Sequence, residues 1–496
     1  MEGVIDFKKE REQDWRVEVR ARMKNKDRTT LDRVRMPEQE PDRRRANFEE
    51  VNLGLDAGQA MAEASRCLDC PDPTCITGCP VGINIPKFIK RIERGEFGEA
   101  SRALKETNAL PAVCGRVCPQ EVQCEQACFY TQKLGKPPVA IGYLERFAAD
   151  HEQRQGAVSI PEIPTSNGIK VASIGSGPAG LAFAGDMAKL GYDVTVFEAL
   201  HEIGGVLKYG IPEFRLPNSV VDVEIDSLNK MGVKFVTNFV VGATARVEDL
   251  KIQGFQAFMV ASGAGLPNFM HIPGENLIGI YSSNEYLTRV NLMGAHREEH
   301  DTPLLKGMKV AVIGGGNTAM DAVRTARRLG AERAMIVYRR SLDEMPARKE
   351  EIAHAKEEGI EFLTLHNPVE YLSDPKGRVC RMRLQKMELG EPDGSGRRRP
   401  VPVAGSEFEV ETDLVVVSVG VSPNPLIPQS MKGLEVSRWG TIVVNPADMQ
   451  SSVQGVFAGG DIVRGGATVI LAMGDGRNAA KAMHAYLQSN DKNKHS

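Results

Sequence analysis

GIKVASIGSGPAGLAFAGDMAKLGYDVTVFEA, residues 168–199, decides the fold. An apolar run, a glycine-rich turn, a helical stretch and a second apolar run follow one another, the order of a β-α-β unit. Gly175, Gly177 and Gly180 give G-x-G-x-x-G at the junction of strand and helix, with Pro178 and Ala179 opening the helix. The first glycine permits the tight turn, the second lets backbone N–H groups approach a pyrophosphate, and the third allows helix and strand to pack closely. The helix N-terminus adds partial positive charge for the phosphates. Glu198 closes the second strand about 20 residues on, where a carboxylate accepts from a ribose hydroxyl. Strand, turn, helix, strand and acid together predict a dinucleotide site.

A second copy stands at residues 308–340, MKVAVIGGGNTAMDAVRTARRLGAERAMIVYRR. VASIGSGPAG and VAVIGGGNTA align residue for residue, an internal repeat of the same unit. Its turn is the variant Gly314, Gly316, Ala319, with Asn317 and Thr318 between. The expected acid is missing: the same spacing lands on Val337 and Tyr338, followed by Arg339 and Arg340. A carboxylate repels a ribose 2′-phosphate, whereas a guanidinium binds it through paired hydrogen bonds, so NADP(H) is expected in preference to NAD(H). The plain alternative is a solvated basic strand end. Arg348, in EMPARKEE, is a weaker second candidate for the same phosphate.

Outward from the repeats, 496 residues suit about three domains. The balance of 62 basic against 65 acidic residues excludes the basic excess of a nucleic-acid binder. No apolar run reaches membrane-span length, and the opening MEGVIDFKKEREQDW lacks a signal peptide's apolar core, so a reducing cytoplasm is expected. Residues 1–45 are densely charged with both signs mixed and read as a solvated helix or loose arm. QGAVSIPEIPTSNG, residues 155–168, is the best linker, and the hydrophilic stretch around DGSGRRRP suits a surface β-hairpin.

Eight of the nine cysteines fall between Cys67 and Cys128. Their spacing is Cys67-x2-Cys70-x4-Cys75-x3-Cys79-Pro80 and Cys114-x3-Cys118-x5-Cys124-x3-Cys128. A disulfide framework does not suit a cytosolic chain of this length. Bacterial ferredoxins use a comparable run ending in Cys-Pro, which points to iron–sulfur centres. Zinc is the competing metal, but its structural sites favour paired C-x2-C knuckles and one such pair occurs here. Cys380, alone in RVCRMRL, reads as a small core hydrophobe.

VFAGGD, with Gly460 and Asp461, resembles the second flavin motif of flavoproteins with two dinucleotide-binding domains, and GATVILAMGDGRNAA, with Thr468, resembles the helix that follows it. The larger pattern is carried by CLDCPDPTCITGCPVGINIPKFI, PAVCGRVCPQEVQCEQAC, IGYLERFA, GGVLKYGIPEFRLP, the GGGNTAMD loop, YRRSLDEMPAR and AGGD. In order and content these resemble the small (β) subunit family of NADPH-dependent glutamate synthase. The same group holds the large subunit of electron-bifurcating ferredoxin:NADP transhydrogenase and the N-terminal half of dihydropyrimidine dehydrogenase.

The resemblance implies an α/β fold with two Rossmann-like domains, for FAD and NADP, preceded by an α-helical iron–sulfur domain. The expected boundaries are 1–45 for the charged arm, 46–160 for the helical domain, 168–288 with 410–496 for the split FAD domain, and 289–409 for the NADP domain. It further implies that Cys67, Cys70, Cys75 and Cys128 hold one [4Fe–4S] cluster, and that Cys79, Cys118, Cys124 and Glu145 hold another. Cys114 is left over. The implied chemistry is hydride transfer from NADPH to flavin, then single electrons through the clusters, with Gly205, Leu207, Tyr209, Glu344 and Pro346 as candidates near the reacting rings and no acid–base group required. No cysteine precedes Cys67 and no length is left for an FMN barrel, so glutamate formation is expected to need a large partner subunit, in a hetero-oligomer. A transhydrogenase partner, and a sulfide dehydrogenase or diaphorase of the same fold, stay open. A scaffold with vestigial loops is disfavoured by the intact glycines and cysteines.

Overall fold

Lys170–Ile174 and Asp193–Phe197, the two apolar runs of the first repeat, pair in parallel, as a helical crossover between them demands. The computed structural model describes residues 7–156, 158–394 and 396–494. The first sheet runs in the order Val456–Ala458, Phe255–Val260, Lys170–Ile174, Asp193–Phe197, Lys234–Val236 and is parallel throughout. A second five-stranded parallel sheet has the order Ile280–Ser282, Leu414–Val417, Lys309–Ile313, Arg333–Tyr338, Glu361–Thr364. An antiparallel sheet follows it, and Val379–Pro392 pairs with Arg398–Pro402 as the hairpin the sequence suggests. The fold is α/β with two Rossmann-like domains behind a helical domain.

The chain crosses between the two sheets through a short antiparallel ribbon, Leu266–Pro267 with Val421–Ser422. The second domain therefore takes in Ile280–Ser282 and Leu414–Val417, and the boundaries expected at 288/289 and 409/410 move outward. The reason is physical: a short apolar strand looks the same in sequence whichever parallel sheet buries it.

Alternate residues of these strands face opposite sides. Val310 and Val312 join one apolar core of the second domain, Ala311 and Ile313 the other. The first domain also has two cores, and the one on its helical face is continuous with the cysteine-bearing domain, running from Met36 through Cys114 and Phe183 to Leu487. Among the described residues the second domain shares no apolar core with the rest.

In the helical domain, Asp56 and Gln59 form a reciprocal cap on Ala57–Ser65. Asn84 caps Ile85–Arg94, which ends on left-handed Gly95 at φ 83°. Ile85, Phe88, Ile89 and Ile92 recur at helical spacing and are buried. Pro111–Val117 crosses Ile141–Arg154 where a Cβ on Gly115 would lie 2.5 Å from the Arg146 nitrogen, so only glycine admits this approach.

The charged arm is neither loose nor merely solvated. Residues 1–6 lie outside the described residues; beyond them Arg16, Arg28 and Arg44 are buried and paired with Asp69, Glu93 and Glu358. Cys380 is half-buried on its strand, its thiol donating to the Leu372 carbonyl, and not the core residue expected. Among the described residues no helix is long and apolar enough to cross a membrane.

Candidate functional site

The first glycine turn shows the three reasons in its geometry. Gly175 has φ +107°, and a Cβ there would meet the Ala261 carbonyl oxygen at 2.4 Å. A Cβ on Gly180 would sit 2.1 Å from the Gly175 oxygen, while Gly177 has nothing within 4 Å and faces open space. The second turn repeats this: at Gly314 (φ +146°) a Cβ would lie 2.2 Å from the Ser418 oxygen, and Gly316 faces open space. Each turn leaves the middle glycine free for a close approach to backbone N–H groups at a helix N-terminus, which fits a pyrophosphate. Pro178 and Ala179 begin the first helix, Asn317 and exposed Thr318 the second, with Ala319 fully buried at the tight third position.

Around the first turn the expected residues come together. Glu198 accepts from the Ser176 nitrogen and hydroxyl at 2.9 and 2.6 Å and from Leu200 N at 2.9 Å. Gly205, at φ +55°, lies against the turn, since a Cβ there would meet Gly177 Cα at 2.9 Å. Leu207 is buried in the helix Val206–Tyr209 behind it. Gly460, at φ +77°, abuts Ala179 and donates to Asp475, and Asp461 accepts from Ala467 N. Burial raises the Asp461 carboxyl to about 6. Tyr209 is placed between these motifs: burial, with Asp461 and Glu198 nearby, pushes its phenol up to about 12. Thr468 caps the long C-terminal helix Val469–Lys494, accepting from Leu471 N.

Around the second turn the basic residues divide. Arg339 is exposed at the end of its strand. Arg340 is not free for a phosphate: its guanidinium donates to Asp393 at 2.5 Å and to the Arg398 carbonyl, docking the hairpin. Arg348 donates to the Arg116 carbonyl at 2.8 Å and to Gln120 at 3.0 Å in the helical domain, and pairs with Glu350 of its own domain. Its backbone N–H donates to Asn317, and Ala347 N to the Gly315 carbonyl, so the EMPAR segment braces the turn. Glu344 caps its own turn through Ser341, and Pro346 is exposed. Gly315 was not singled out by its spacing, yet a Cβ there would strike the Tyr338 ring at 2.7 Å.

The cysteines gather into two cavities. One is lined by Cys67, Cys70, Cys75 and Cys128 with Pro73, Phe129 and Tyr130. The other is lined by Cys79, Cys118, Cys124 and Glu145 with Phe88 and Ile470. Ile85 and Ile141 line both and form a shared wall. None of the nine cysteines is in a disulfide. Burial pushes the Cys70 thiol up to about 12 and that of Cys79 to about 11. Such thiolates need a cation beside them, so metal binding must displace their protons. Each cavity offers four donors in an apolar shell, which fits a [4Fe–4S] centre.

Cys114 lines neither cavity. Its sulfur is fully buried against Asn108 Oδ1 and Met473 Sδ, at 3.7 and 3.5 Å. Asn108 also donates to Glu145 at 2.7 Å, fixing that carboxylate from behind, while burial raises it to about 8. Asp69, between Cys67 and Cys70, is held by Arg16 and Arg20, and Lys90 donates to the Cys67 carbonyl at 2.5 Å. CLDC contains Asp69 in plain view; Asn108 and Lys90 give no local signal.

The geometry defines a flavin- and pyridine-nucleotide-dependent oxidoreductase with an iron–sulfur domain. Comparison with known proteins agrees. Residues 44–157 match the family described as dihydropyrimidine dehydrogenase domain II, 4Fe-4S cluster, and residues 169–476 match pyridine nucleotide-disulphide oxidoreductase. The chain is 39% identical to the glutamate synthase [NADPH] small chain of Azospirillum brasilense, over 92% of its own length and 95% of the relative's. It is 36% identical to the Escherichia coli small chain, over 92% and 98%. The NADP(+)-dependent formate dehydrogenase subunit beta of Moorella thermoacetica is 37% identical over 88% of this chain and 64% of its own. In fold it is similar to Mycobacterium tuberculosis FprA in complex with NADPH, with TM-score 0.55, 20% identity, and coverage of 66% of this chain and 86% of that one. The chain belongs to the glutamate synthase small-chain family, and it is an oxidoreductase using NADPH, FAD and iron–sulfur.

Proposed function

We propose that this chain takes electrons from NADPH and delivers them, through two separate [4Fe–4S] centres, to a partner subunit that makes glutamate from glutamine and 2-oxoglutarate. The observation that carries the electron path is a shared helix. Val469–Lys494 begins at the flavin motif, and within its first two turns Ile470 walls the Glu145 cavity while Gly474 lies against Pro80, a Cβ there meeting the Pro80 oxygen at 3.1 Å. The family's relatives named as small chains support the choice of partner.

When bound, FAD would supply the conversion of a two-electron hydride into single electrons, and iron–sulfur centres would supply their onward transfer. The chain's residues do the rest. Gly175, Gly177 and Gly180, with Glu198, hold the first dinucleotide; Gly205, Gly460 and Asp461 close on it from two further elements. Gly314, Gly316, Asn317 and Thr318 cradle the second, with Arg339 the guanidinium free to meet a 2′-phosphate. Tyr209, near Asp461 and Glu198, would border the first dinucleotide, with Leu207 buried behind it. Cys67, Cys70, Cys75 and Cys128 hold the outer centre; Cys79, Cys118, Cys124 and Glu145 hold the inner one.

Anaerobic mixing with a glutamate synthase large chain tests the reading. NADPH-dependent glutamate formation is the expected result. NADPH–dye reduction with no glutamate, and with electrons passing instead to a ferredoxin or a small flavoprotein, overturns the choice of partner.

A further inference from the structure

Among the described residues the two nucleotide domains do not share an apolar core, so polar contacts between them carry part of what fixes one against the other. A buried ionic network lies at that junction. Arg215, in the IPEFRLP segment that follows the helix Val206–Tyr209, donates to both carboxylate oxygens of Asp321 at 2.7 and 2.8 Å. It also meets Glu351 at 3.2 Å. Asp321, Arg324 and Arg328 recur at i, i+3 and i+7 on the helix Asn317–Arg328, the helix that starts at the second glycine turn, and so share one face. Arg324 and Arg328 pair with Glu358 at 2.8 and 2.7 Å, and their guanidiniums lie 4.8 and 3.8 Å from the centre of the Phe214 ring. Arg44 of the N-terminal segment closes the network on Glu358 at 3.2 Å. All of these groups except the ring are charged, and none is more than 9% exposed.

A network of this kind is a poor way to gain stability, because the cost of removing charges from water offsets most of the attraction. It is an effective way to define a geometry. Apolar surfaces slide with little change in energy, whereas a buried bidentate pair that is pulled out of register leaves bare charges. Hydride transfer depends steeply on the distance between donor and acceptor rings, and the pair is a buried link between the two nucleotide domains, beside the ribbon Leu266–Pro267 with Val421–Ser422 and the bond from Asn291 to the Tyr209 carbonyl.

We infer that Arg215 and Asp321 are positioning residues for hydride transfer: their buried bidentate pair sets the NADP domain in register against the flavin segment. The pair touches neither nucleotide turn directly; it acts through the helix Asn317–Arg328 on one side and the segment Val206–Leu216 on the other. The inference rests on the NADPH–flavin chemistry of the family.

The test is anaerobic stopped-flow reduction of the flavin by NADPH in the holoprotein, comparing wild type with the double variant Arg215→Met/Asp321→Leu. Apolar replacement keeps volume and removes both charges together. The expected result is flavin and iron content and melting temperature near wild type, an NADPH dissociation constant within about threefold, and a limiting reduction rate lower by about tenfold to a hundredfold. A larger isotope effect with 4-deuterated NADPH accompanies it. An unchanged limiting rate in a folded, flavin-replete variant overturns the inference, as does a loss that appears wholly in NADPH affinity. Should the double variant lose flavin, Asp321→Glu serves in its place: a reduced limiting rate supports positioning, and a wild-type rate overturns it. Failure of wild type itself to be reduced by NADPH would count against the family activity and not against this pair.

Discussion

The two thiol cavities are neighbours, sharing Ile85 and Ile141, yet the charged groups around them differ. The outer cavity has four sulfurs backed by ion pairs: Lys90, on the Cys67 carbonyl, pairs with Glu93, and Arg16 and Arg20 converge on Asp69. The inner cavity has three sulfurs and the Glu145 carboxylate, with a second buried acid, Glu224, bonded to Ala112 N at 2.9 Å and raised to about 7 by burial. Lys90 favours the more negative state of whatever the outer cavity holds, and Glu145, where it is ionised as a ligand, disfavours that state in the inner one. Two sites with nearly the same ligands can thus be graded in potential by the residues behind them. The inner site lies on the flavin helix, so the gradient runs away from the flavin.

The largest effect is expected from the ligands themselves. Glu145→Ala should remove the inner centre alone, so that iron per chain falls by about half while the electron paramagnetic resonance signal of the outer centre persists. Cys67→Ser should do the reverse. If either substitution empties both cavities, the sites are not independent and the comparison fails.

A smaller effect is expected one shell out. Asp69→Asn releases Arg16 and Arg20 from the Cys67–Cys70 loop, and iron should leave the outer site several-fold faster under a chelator, with the inner site unchanged. Equal rates of loss from both sites would show that the arm does not guard the outer one. Lys90→Met should lower the outer reduction potential by roughly a few tens of millivolts in a redox titration, and no shift would remove the charge gradient from the account. Least affected should be Cys114→Ala. Full iron content is expected, with a loss of about 1 kcal/mol in denaturant unfolding of the chain from the small void beside Met473. Lost iron would make Cys114 a ligand after all.

The glycine turns and the cysteine spacing were legible because both are local: a few adjacent positions carry the whole constraint. The N-terminal arm was not. Arg28 pairs with Glu93, 65 residues away, and Arg44 with Glu358, 314 residues away, and no local pattern distinguishes such arginines from solvated ones. The partners of Arg340 and Arg348 were hidden for the same reason. A basic residue after a strand looks available for phosphate until Asp393 or Gln120 is seen to hold it. Domain boundaries failed at strands of three and four residues, Ile280–Ser282 and Leu414–Val417, whose sheet is chosen by the tertiary fold alone.

Chemical analysis of wild-type protein purified without oxygen tests the central claim most directly. Two four-donor cages predict about eight iron atoms and about eight acid-labile sulfides per chain alongside one flavin. Zinc without sulfide, or iron and sulfide at half those values, would contradict it.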